Sequence, residues 1–233
     1  MKSLATFITI LLLACGAPRA FSAPDTGKVA IQLVFDDSGV LMEADRAKEQ
    51  KIRVLGHLLS MTRARRYAEA RIDLISTSEG RSVWIGGPSD LKGGSQTDRL
   101  LGLLEAHPDR CNNLPAAFAE LETNIRQLEQ QGYEEVVVIV LSSLIDTPAP
   151  CGDAMQITLP QLPPETGINR VLMSSDLVKA VSFFWVDHNQ RRVWLEFLQP
   201  TSDWLGEHGG KFGLFDVENT VYELDARLMG VTR

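Results

Sequence analysis

The sequence predicts an α/β fold of three layers: a mostly parallel central sheet with one antiparallel edge strand and helices on both faces. Short apolar runs rich in branched residues alternate along the chain with longer amphipathic segments, an order typical of parallel sheets. The apolar runs are continuous rather than alternating, as expected of strands that are buried on both faces. Two further runs are separated only by a tight turn, which predicts the antiparallel edge.

Residues 28–35 (KVAIQLVF) predict the first strand, and a long amphipathic helix follows over residues 42–70. Ile52, Leu55 and Leu59 lie on one stripe of that helix, so we expect all three side chains to face the core. The strand is short, continuous and rich in branched side chains, which favours a central position in the sheet.

A hairpin is predicted next. Residues 71–77 and 81–87 have the composition of strands, and Ser78-Glu79-Gly80 between them supplies a glycine for the turn. Residues 88–96 are expected to be a loop, and residues 97–107 a short helix. The hairpin therefore supplies the antiparallel pair of the sheet.

The helix predicted over residues 112–132 has the strongest periodicity in the chain. Its apolar side chains recur at alternating steps of four and three residues, and Gly132 ends it. These apolar residues are Leu114, Phe118, Leu121, Ile125 and Leu128. Residues 134–143 (EEVVVIVLSS) follow as a buried strand.

The C-terminal part continues the same alternation after an insert. Residues 147–168 are rich in proline and have no strong periodic pattern, so we expect an inserted loop. The predicted elements after it are a strand at 180–187, a helix from 190 at least to Pro200, a strand at 211–217 and a helix at 219–230. We see no repeats, and residues 28–230 are predicted to form one domain.

Residues 1–22 predict a secretory signal peptide. Lys2 precedes an uncharged run, Leu4 to Cys15, which is too short to cross a bilayer as a mature helix. Two cleavage sites remain open. Leu12-Leu13-Ala14-Cys15 resembles a bacterial lipobox and would leave Cys15 lipidated, as a membrane tether. Cleavage after Ala20-Phe21-Ser22 would release a soluble protein. Either mode predicts an exported protein of the periplasm or cell envelope.

The charge balance argues against nucleic acid as a partner. The chain carries a net charge of −7, and removal of the signal would take away two more positive charges, Lys2 and Arg19. No basic stripe offsets this acidity. The arginines at 63, 65, 66 and 71 cluster at the predicted end of a helix, where cations complement the helix dipole.

Cys111 and Cys151 are an even pair once Cys15 is cleaved off or lipidated. In an exported protein such a pair predicts a disulfide. Two buried free thiols remain the alternative. Both cysteines flank segments expected at one end of the sheet, so a disulfide there would hold the proline-rich insert against that end.

Three polar motifs lie at the ends of predicted elements: two end buried strands and one opens a helix. The first strand ends in D-D-S-G at residues 36–39, C-N-N-L-P at 111–115 opens a helix, and the strand at 134–143 continues as S-S-L-I-D. Together with the order of the predicted elements, these motifs resemble the von Willebrand factor A-type domain over nearly all of residues 28–228. That resemblance implies three loops meeting at one end of the sheet around a divalent metal, usually Mg²⁺, which an acidic residue of a partner protein can complete.

The metal-binding pattern of that family is incomplete here. Asp36 and Ser38 match it, Val40 has no oxygen to offer, Asn112 takes the place of a threonine, and Ser143 takes the place of an aspartate. Asp146, three residues after Ser143, is a further candidate ligand. We therefore expect a degenerate site, at which Mg²⁺ is the one candidate ion and no cofactor is expected.

In a degenerate site we expect Asp36, Ser38 and Asn112 to hydrogen-bond the loops to each other. Asp36 would also be a structural carboxylate at a helix N-terminus, and Asp37 a surface residue. With the predicted disulfide holding the insert against it, we expect this end of the sheet to be a rigid face for a protein partner rather than an open catalytic cleft.

The same opening motif has an enzymatic interpretation. The stretch LVFDDSGVL also resembles the first motif of haloacid dehalogenase-like phosphatases, with Asp36 as nucleophile, Gly39 and Val40 matching, and Ser142 as the phosphate-binding hydroxyl. Ser38 stands where that family has its second aspartate, and a hydroxyl does not transfer protons at neutral pH as a carboxylate does. No paired acidic motif follows a later strand.

The favoured function is therefore a protein–protein interaction or assembly module of the bacterial cell envelope, outside the cytoplasm and without catalysis. A phosphatase and a purely structural envelope lipoprotein are the alternatives. This expectation of function rests on a resemblance at the level of the fold.

Overall fold

The computed structural model describes residues 27–38, 49, 52–56, 67–105, 107, 110–147, 167–220 and 223. The predicted signal peptide, most of the proline-rich insert, and the individual positions Cys15, Val40, Leu59 and Cys151 lie outside these residues. Within the described ranges no helix is long and apolar enough to cross a membrane.

A six-stranded sheet forms the centre of the molecule, with strand order β3-β2-β1-β4-β5-β6. All neighbouring strands are parallel except β2 and β3, which pair antiparallel at one edge. The strands are β1 (Val29–Phe35), β2 (Arg71–Ser76), β3 (Arg81–Gly86), β4 (Glu135–Leu141), β5 (Val178–Val186) and β6 (Lys211–Asp216). The predicted fold class, three-layer α/β with one antiparallel edge strand, is confirmed.

Both faces of the sheet are covered, as the continuous apolar strands predicted. In β1, Ala30 and Val34 belong to one buried cluster, while Ile31 and Leu33 belong to a second cluster on the other face. This alternation follows from the pleat, which turns successive side chains to opposite faces. Two separate cores therefore hold β1 in the middle of the structure.

Five helices of the described chain pack around the sheet: α1 (Gly94–Leu103), α2 (Leu114–Gln130), α3 (Ile168–Leu172), α4 (Arg191–Phe197) and α5 (Gln199–Glu207). Residues 52–56 and 217–220 are also helical. In α2 all five apolar residues of the predicted stripe are buried. The side chain of Asn113 caps α2 by accepting a hydrogen bond from Ala116 N. Gly80 has a positive φ of 62° in the hairpin turn, as its position required.

Three local predictions are wrong. Ile52 is 47% exposed, whereas Val54 and Leu55 are buried and define the core side of that helix. Viewed down the helix axis, Ile52 points about 110° away from the mean direction of Val54 and Leu55. The predicted loop 88–96 contains a 3₁₀ helix, Pro88–Lys92, and α1 already begins at Gly94. The single helix predicted from 190 is two helices, α4 and α5, since Pro200 stands in the first turn of α5 and cannot continue the preceding hydrogen-bond ladder.

Candidate functional site

The loops after β1, β2 and β4 meet at the carboxyl edge of the sheet, where open α/β sheets place their binding sites. Asp36 N donates to Leu141 O (2.8 Å), and Thr77 N donates to Phe35 O (3.0 Å). These two hydrogen bonds continue the strand pairing by one residue on each side of β1. Asp36 and Asp37 are therefore held between β2 and β4.

Asp36 is fully buried and hydrogen-bonded by two serines. Its Oδ1 accepts from Ser38 N (2.9 Å) and Ser38 Oγ (2.6 Å), and its Oδ2 accepts from Ser142 Oγ (3.2 Å). Burial raises the pKa of Asp36 to about 6, while the hydrogen bonds from Ser38 and Ser142 oppose this by favouring the ionised form. The predicted role at a helix N-terminus is not what the described contacts show, since the donors are these two serines.

Asn112 connects this carboxylate to the loop after β4. Its Nδ2 donates to Ser142 Oγ (3.2 Å) and to Ile145 O (2.7 Å), and its backbone N donates to Thr147 Oγ1 (2.6 Å). The structure thus brings Asp36, Ser38 and Asn112 into one hydrogen-bond network, and Ser142 is the residue that joins them.

Ser143 and Asp146, the other predicted site residues, are used elsewhere. Ser143 Oγ accepts from Ile145 N (3.3 Å). Asp146 Oδ1 accepts from the backbone N of Leu114 (3.2 Å), the first residue of α2, so it is Asp146 that stands at a helix N-terminus. Burial raises the pKa of Asp146 above its ordinary value. The aspartate thus helps to fix the start of α2 beside Asn112.

Asp37 is buried, so its predicted position on the surface is wrong. It is 1% exposed and accepts from Ser76 Oγ (2.9 Å), Ser78 N (3.1 Å), Ser78 Oγ (2.6 Å) and Arg110 Nη1 (2.8 Å). The turn after β2 folds over the carboxylate, and Arg110 supplies a compensating charge. Asp37 therefore joins a third loop and Arg110 to the same network.

Two buried oxygens at this edge have no hydrogen-bond partner among the described residues: Asn112 Oδ1 and Thr77 Oγ1. Thr77 directly follows Ser76, the last residue of β2, which donates to Asp37. The carbonyl of Thr77 accepts from Asn113 N (3.3 Å). A buried oxygen left unpaired costs about 1–3 kcal/mol. Both oxygens can accept a further donor, such as a water molecule.

The residues at this edge do not fit a divalent metal well. Among the described residues, Asp36 has no cationic partner, whereas Asp37 is paired with Arg110. Ser143 and Asp146 contact backbone N–H groups instead. The described part of the chain has no group of three acidic, histidine or cysteine side chains arranged to hold a metal. Affinity for hard cations depends on ligand charge, and a single free carboxylate supplies little of it.

Asp36 is also poorly placed for nucleophilic attack on a phosphate ester. Its relative exposure is 0%, and both carboxylate oxygens accept hydrogen bonds from serine. A nucleophile in phosphoryl transfer has to approach phosphorus directly. The geometry therefore gives no support to the phosphatase interpretation.

Charged side chains lie above this buried network. Arg81 donates to Glu79 (2.6 Å), and Glu79 is 3.7 Å from the guanidinium of Arg110. His107 is held nearby, since its backbone N donates to Asp37 O (2.8 Å). We call Glu79, Arg81, His107 and Arg110 the rim. The rim has both signs of charge and rests on hydrogen-bonded loops.

The remaining candidates are structural or stay predictions. Cys111 lies directly before Asn112 at this edge, and its disulfide with Cys151 stays a prediction because Cys151 is outside the described residues. Trp194 is fully buried with its ring edge-on to Phe197 (5.6 Å), as is typical of core residues. Trp204 is half-buried and stacked on His208 (4.4 Å).

No protein-family model matches the sequence, and a search of curated proteins finds no match. Similar solved structures exist at low sequence identity. The pilus adhesin SpaC of Lactobacillus rhamnosus GG, in an open conformation, aligns with a TM-score of 0.60 and 13% identity over 89% of this chain and 30% of SpaC. A point mutant of the minor pilin PilB of Streptococcus sanguinis aligns with a TM-score of 0.53 and 12% identity over 91% of this chain and 62% of PilB.

The TM-scores show a shared fold. The sequence identities are too low for these likenesses to show anything beyond the fold. The chain spans less than two thirds of the length of either protein.

Proposed function

We propose that this protein is a non-catalytic interaction or assembly module of the cell envelope, and that it binds a protein partner through the rim without a metal ion. The observation that carries the proposal is the buried network beneath the rim. Asp36 and Asp37 are both fully buried, and each is hydrogen-bonded by side chains from loops that sequence separates widely.

A fixed network of this kind suits recognition of another protein. The loops that meet at this edge are tied together before a partner arrives, so binding would cost little ordering entropy. The rim offers charges of both signs, which give orientation and specificity to an encounter. Each of the two aspartates is already engaged internally, so neither is presented to a substrate.

The comparisons support the same class of function by analogy. A pilus adhesin and a minor pilin share this fold, and both are proteins of surface appendages. Export of the present chain rests on the predicted signal at residues 1–22, and a tether through lipidated Cys15 remains part of the proposal.

Site-specific photo-cross-linking in the source cells tests the proposal. A photoreactive residue would replace Arg81, whose side chain is 67% exposed on the rim. The matched control replaces Lys28, another exposed basic residue, at the opposite edge of the sheet. We expect one discrete heavier species from position 81, formed equally in the presence of a chelator.

Two results would contradict the proposal. Equal cross-linking from positions 81 and 28 would mean that the rim has no preferred partner. Loss of the cross-linked species in chelator would mean that a metal ion completes the contact. Fractionation of the same cells, with and without residues 1–22, tests the proposed location separately.

A further inference from the structure

A groove between α2 and α3 lies apart from the carboxyl edge and has a volume of about 830 Å³, within the range of small-molecule sites. Its walls carry two positive and two negative side chains: Arg126 and Arg170, Glu122 and Glu129. Ile125 and Met173 line it between these charges. None of these residues takes part in the network under the rim.

One end of the groove is built around a carboxylate that two arginines share. Glu122, only 12% exposed, accepts hydrogen bonds from Arg170 through both oxygens and from Arg126. These guanidiniums hold the pKa of Glu122 below its ordinary value. Two cations against one anion leave this end with a net positive charge.

Both arginines keep donors to spare. A guanidinium has five N–H groups, and the contacts with Glu122 use only some of them. Arg126 is 64% exposed. The Nε of Arg170 is buried and has no hydrogen-bond partner in the part of the chain that the structure describes. The exposed parts of the two guanidiniums, 64% for the Arg126 side chain and 35% for that of Arg170, carry the donors that an incoming anionic group can reach.

The other end is negative. Glu129 is exposed and accepts from Ser175 Oγ (3.3 Å) at the end of the turn that follows α3. Glu122 and Glu129 are seven residues apart on α2, so the two ends are separated by about 10 Å along the helix axis. Between them the groove is lined by the partly exposed, apolar side chain of Met173, which lies over the fully buried Ile125.

We infer that this groove binds a zwitterion with an apolar stem: its carboxylate at Arg126 and Arg170, and its ammonium or guanidinium group at Glu129. A simple anion or cation would match one end and meet like charge at the other. Free ω-amino acids have this chemistry, as do an acidic and a basic side chain two positions apart in an extended peptide.

Titration of the purified chain, followed by two-dimensional amide and arginine Nε–H resonances, tests the inference. The probes are ε-aminocaproate, which has both charges, hexanoate and hexylamine, which have one each, and a blocked peptide with aspartate and lysine two positions apart. We expect saturable shifts at the groove with ε-aminocaproate and at least tenfold weaker binding of either single-charge probe. Tighter binding of the peptide would assign the ligand to a polypeptide, and tighter binding of ε-aminocaproate to a small molecule.

Two variants localise the binding. Arg126→Gln and Glu129→Gln should each weaken ε-aminocaproate binding about tenfold while leaving the thermal midpoint nearly unchanged, because both side chains are exposed. Arg192→Gln is the matched control, an 89% exposed arginine paired with Glu196 four residues away. The inference is overturned if no probe gives saturable shifts, if hexanoate binds as tightly as ε-aminocaproate, or if Arg192→Gln weakens binding equally.

Discussion

Replacing Asp36 by asparagine should make the protein more stable at alkaline pH, although it alters the centre of the candidate site. Asp36 has no exposed surface, and burial raises its pKa from 3.8 to about 6. The folded protein therefore binds this proton more tightly than the unfolded chain does. Ionised Asp36 costs stability above pH 6, and the cost disappears as the pH falls below 3.8.

A tenfold change in proton affinity is worth about 1.4 kcal/mol, so ionisation of Asp36 costs about 3 kcal/mol at pH 8 and roughly half of that at pH 5. Asparagine avoids this cost, but its amide nitrogen cannot accept the hydrogen bond from Ser142. The loss of this hydrogen bond reduces the gain in unfolding free energy by about 1 kcal/mol. We expect the unfolding free energy of Asp36→Asn to exceed that of the wild type by about 2 kcal/mol at pH 8 and by less than about 1 kcal/mol at pH 5.

Urea unfolding in the presence of a chelator, at pH 5 and pH 8, measures both differences. Asp98→Asn, a change of an exposed aspartate on α1, is the control and should leave the unfolding free energy within about 0.5 kcal/mol of the wild type at both pH values. The reasoning is refuted if Asp36→Asn is less stable than the wild type at pH 8. It is refuted equally by a stability difference that does not change with pH.

Three further predictions concern stability and use the same unfolding assay. Asp37→Asn should lower the unfolding free energy by about 2–4 kcal/mol, because Arg110 and two serine hydroxyls lose a buried anionic partner; a loss below 1 kcal/mol would contradict this. Gly80→Ala should cost about 1–3 kcal/mol, since its φ is positive and a Cβ would lie 2.7 Å from the Cβ of Ala116; a neutral effect would mean that the turn relaxes. In the wild type, ionised Glu122 adds stability above the ordinary glutamate pKa, and this is lost as the pH falls through the lowered pKa of the folded state. Glu122→Gln should lack this pH-dependent stability; identical pH profiles of the two proteins would contradict it.

The sheet and the longest helix could be predicted because their signals are local. The continuous apolar runs at β1, β4 and β5 indicate strands covered on both faces, and the stripe on α2 predicts its buried side. The prediction took Pro200 as the earliest end of one helix, whereas the break between α4 and α5 lies two residues earlier, at Leu198. Ile52 was misplaced because a stripe of three residues does not fix the phase of a helix against the core.

The candidate site was predicted only in part, because it depends on strand register. Phe35 pairs with Leu141, so the residue level with Asp36 is Ser142, while the neighbouring Ser143 turns the other way. A shift of one residue reverses the direction of a side chain, and the sequence alone did not set the register. Asp37 was assigned to the surface because its partners, Ser76 and Arg110, are brought to it only by the fold.

The charged groove was missed for a related reason. Glu122 and Arg126 are one helical turn apart on α2 and predict an ordinary surface pair. Arg170, which shares the carboxylate, comes 48 residues after Glu122. A pattern confined to α2 therefore gave no sign of a second guanidinium.

If the network around Asp36 works without a metal ion, the carboxyl edge should not bind divalent cations. The most direct test is calorimetric titration of Mg²⁺, Mn²⁺ and Ca²⁺ into the chelator-stripped protein, with Asp36→Ala as the control. We predict no saturable heat for any of the three ions at millimolar concentration. Saturable binding that Asp36→Ala abolishes would contradict it and would make a metal-completed contact with an acidic partner residue the better explanation.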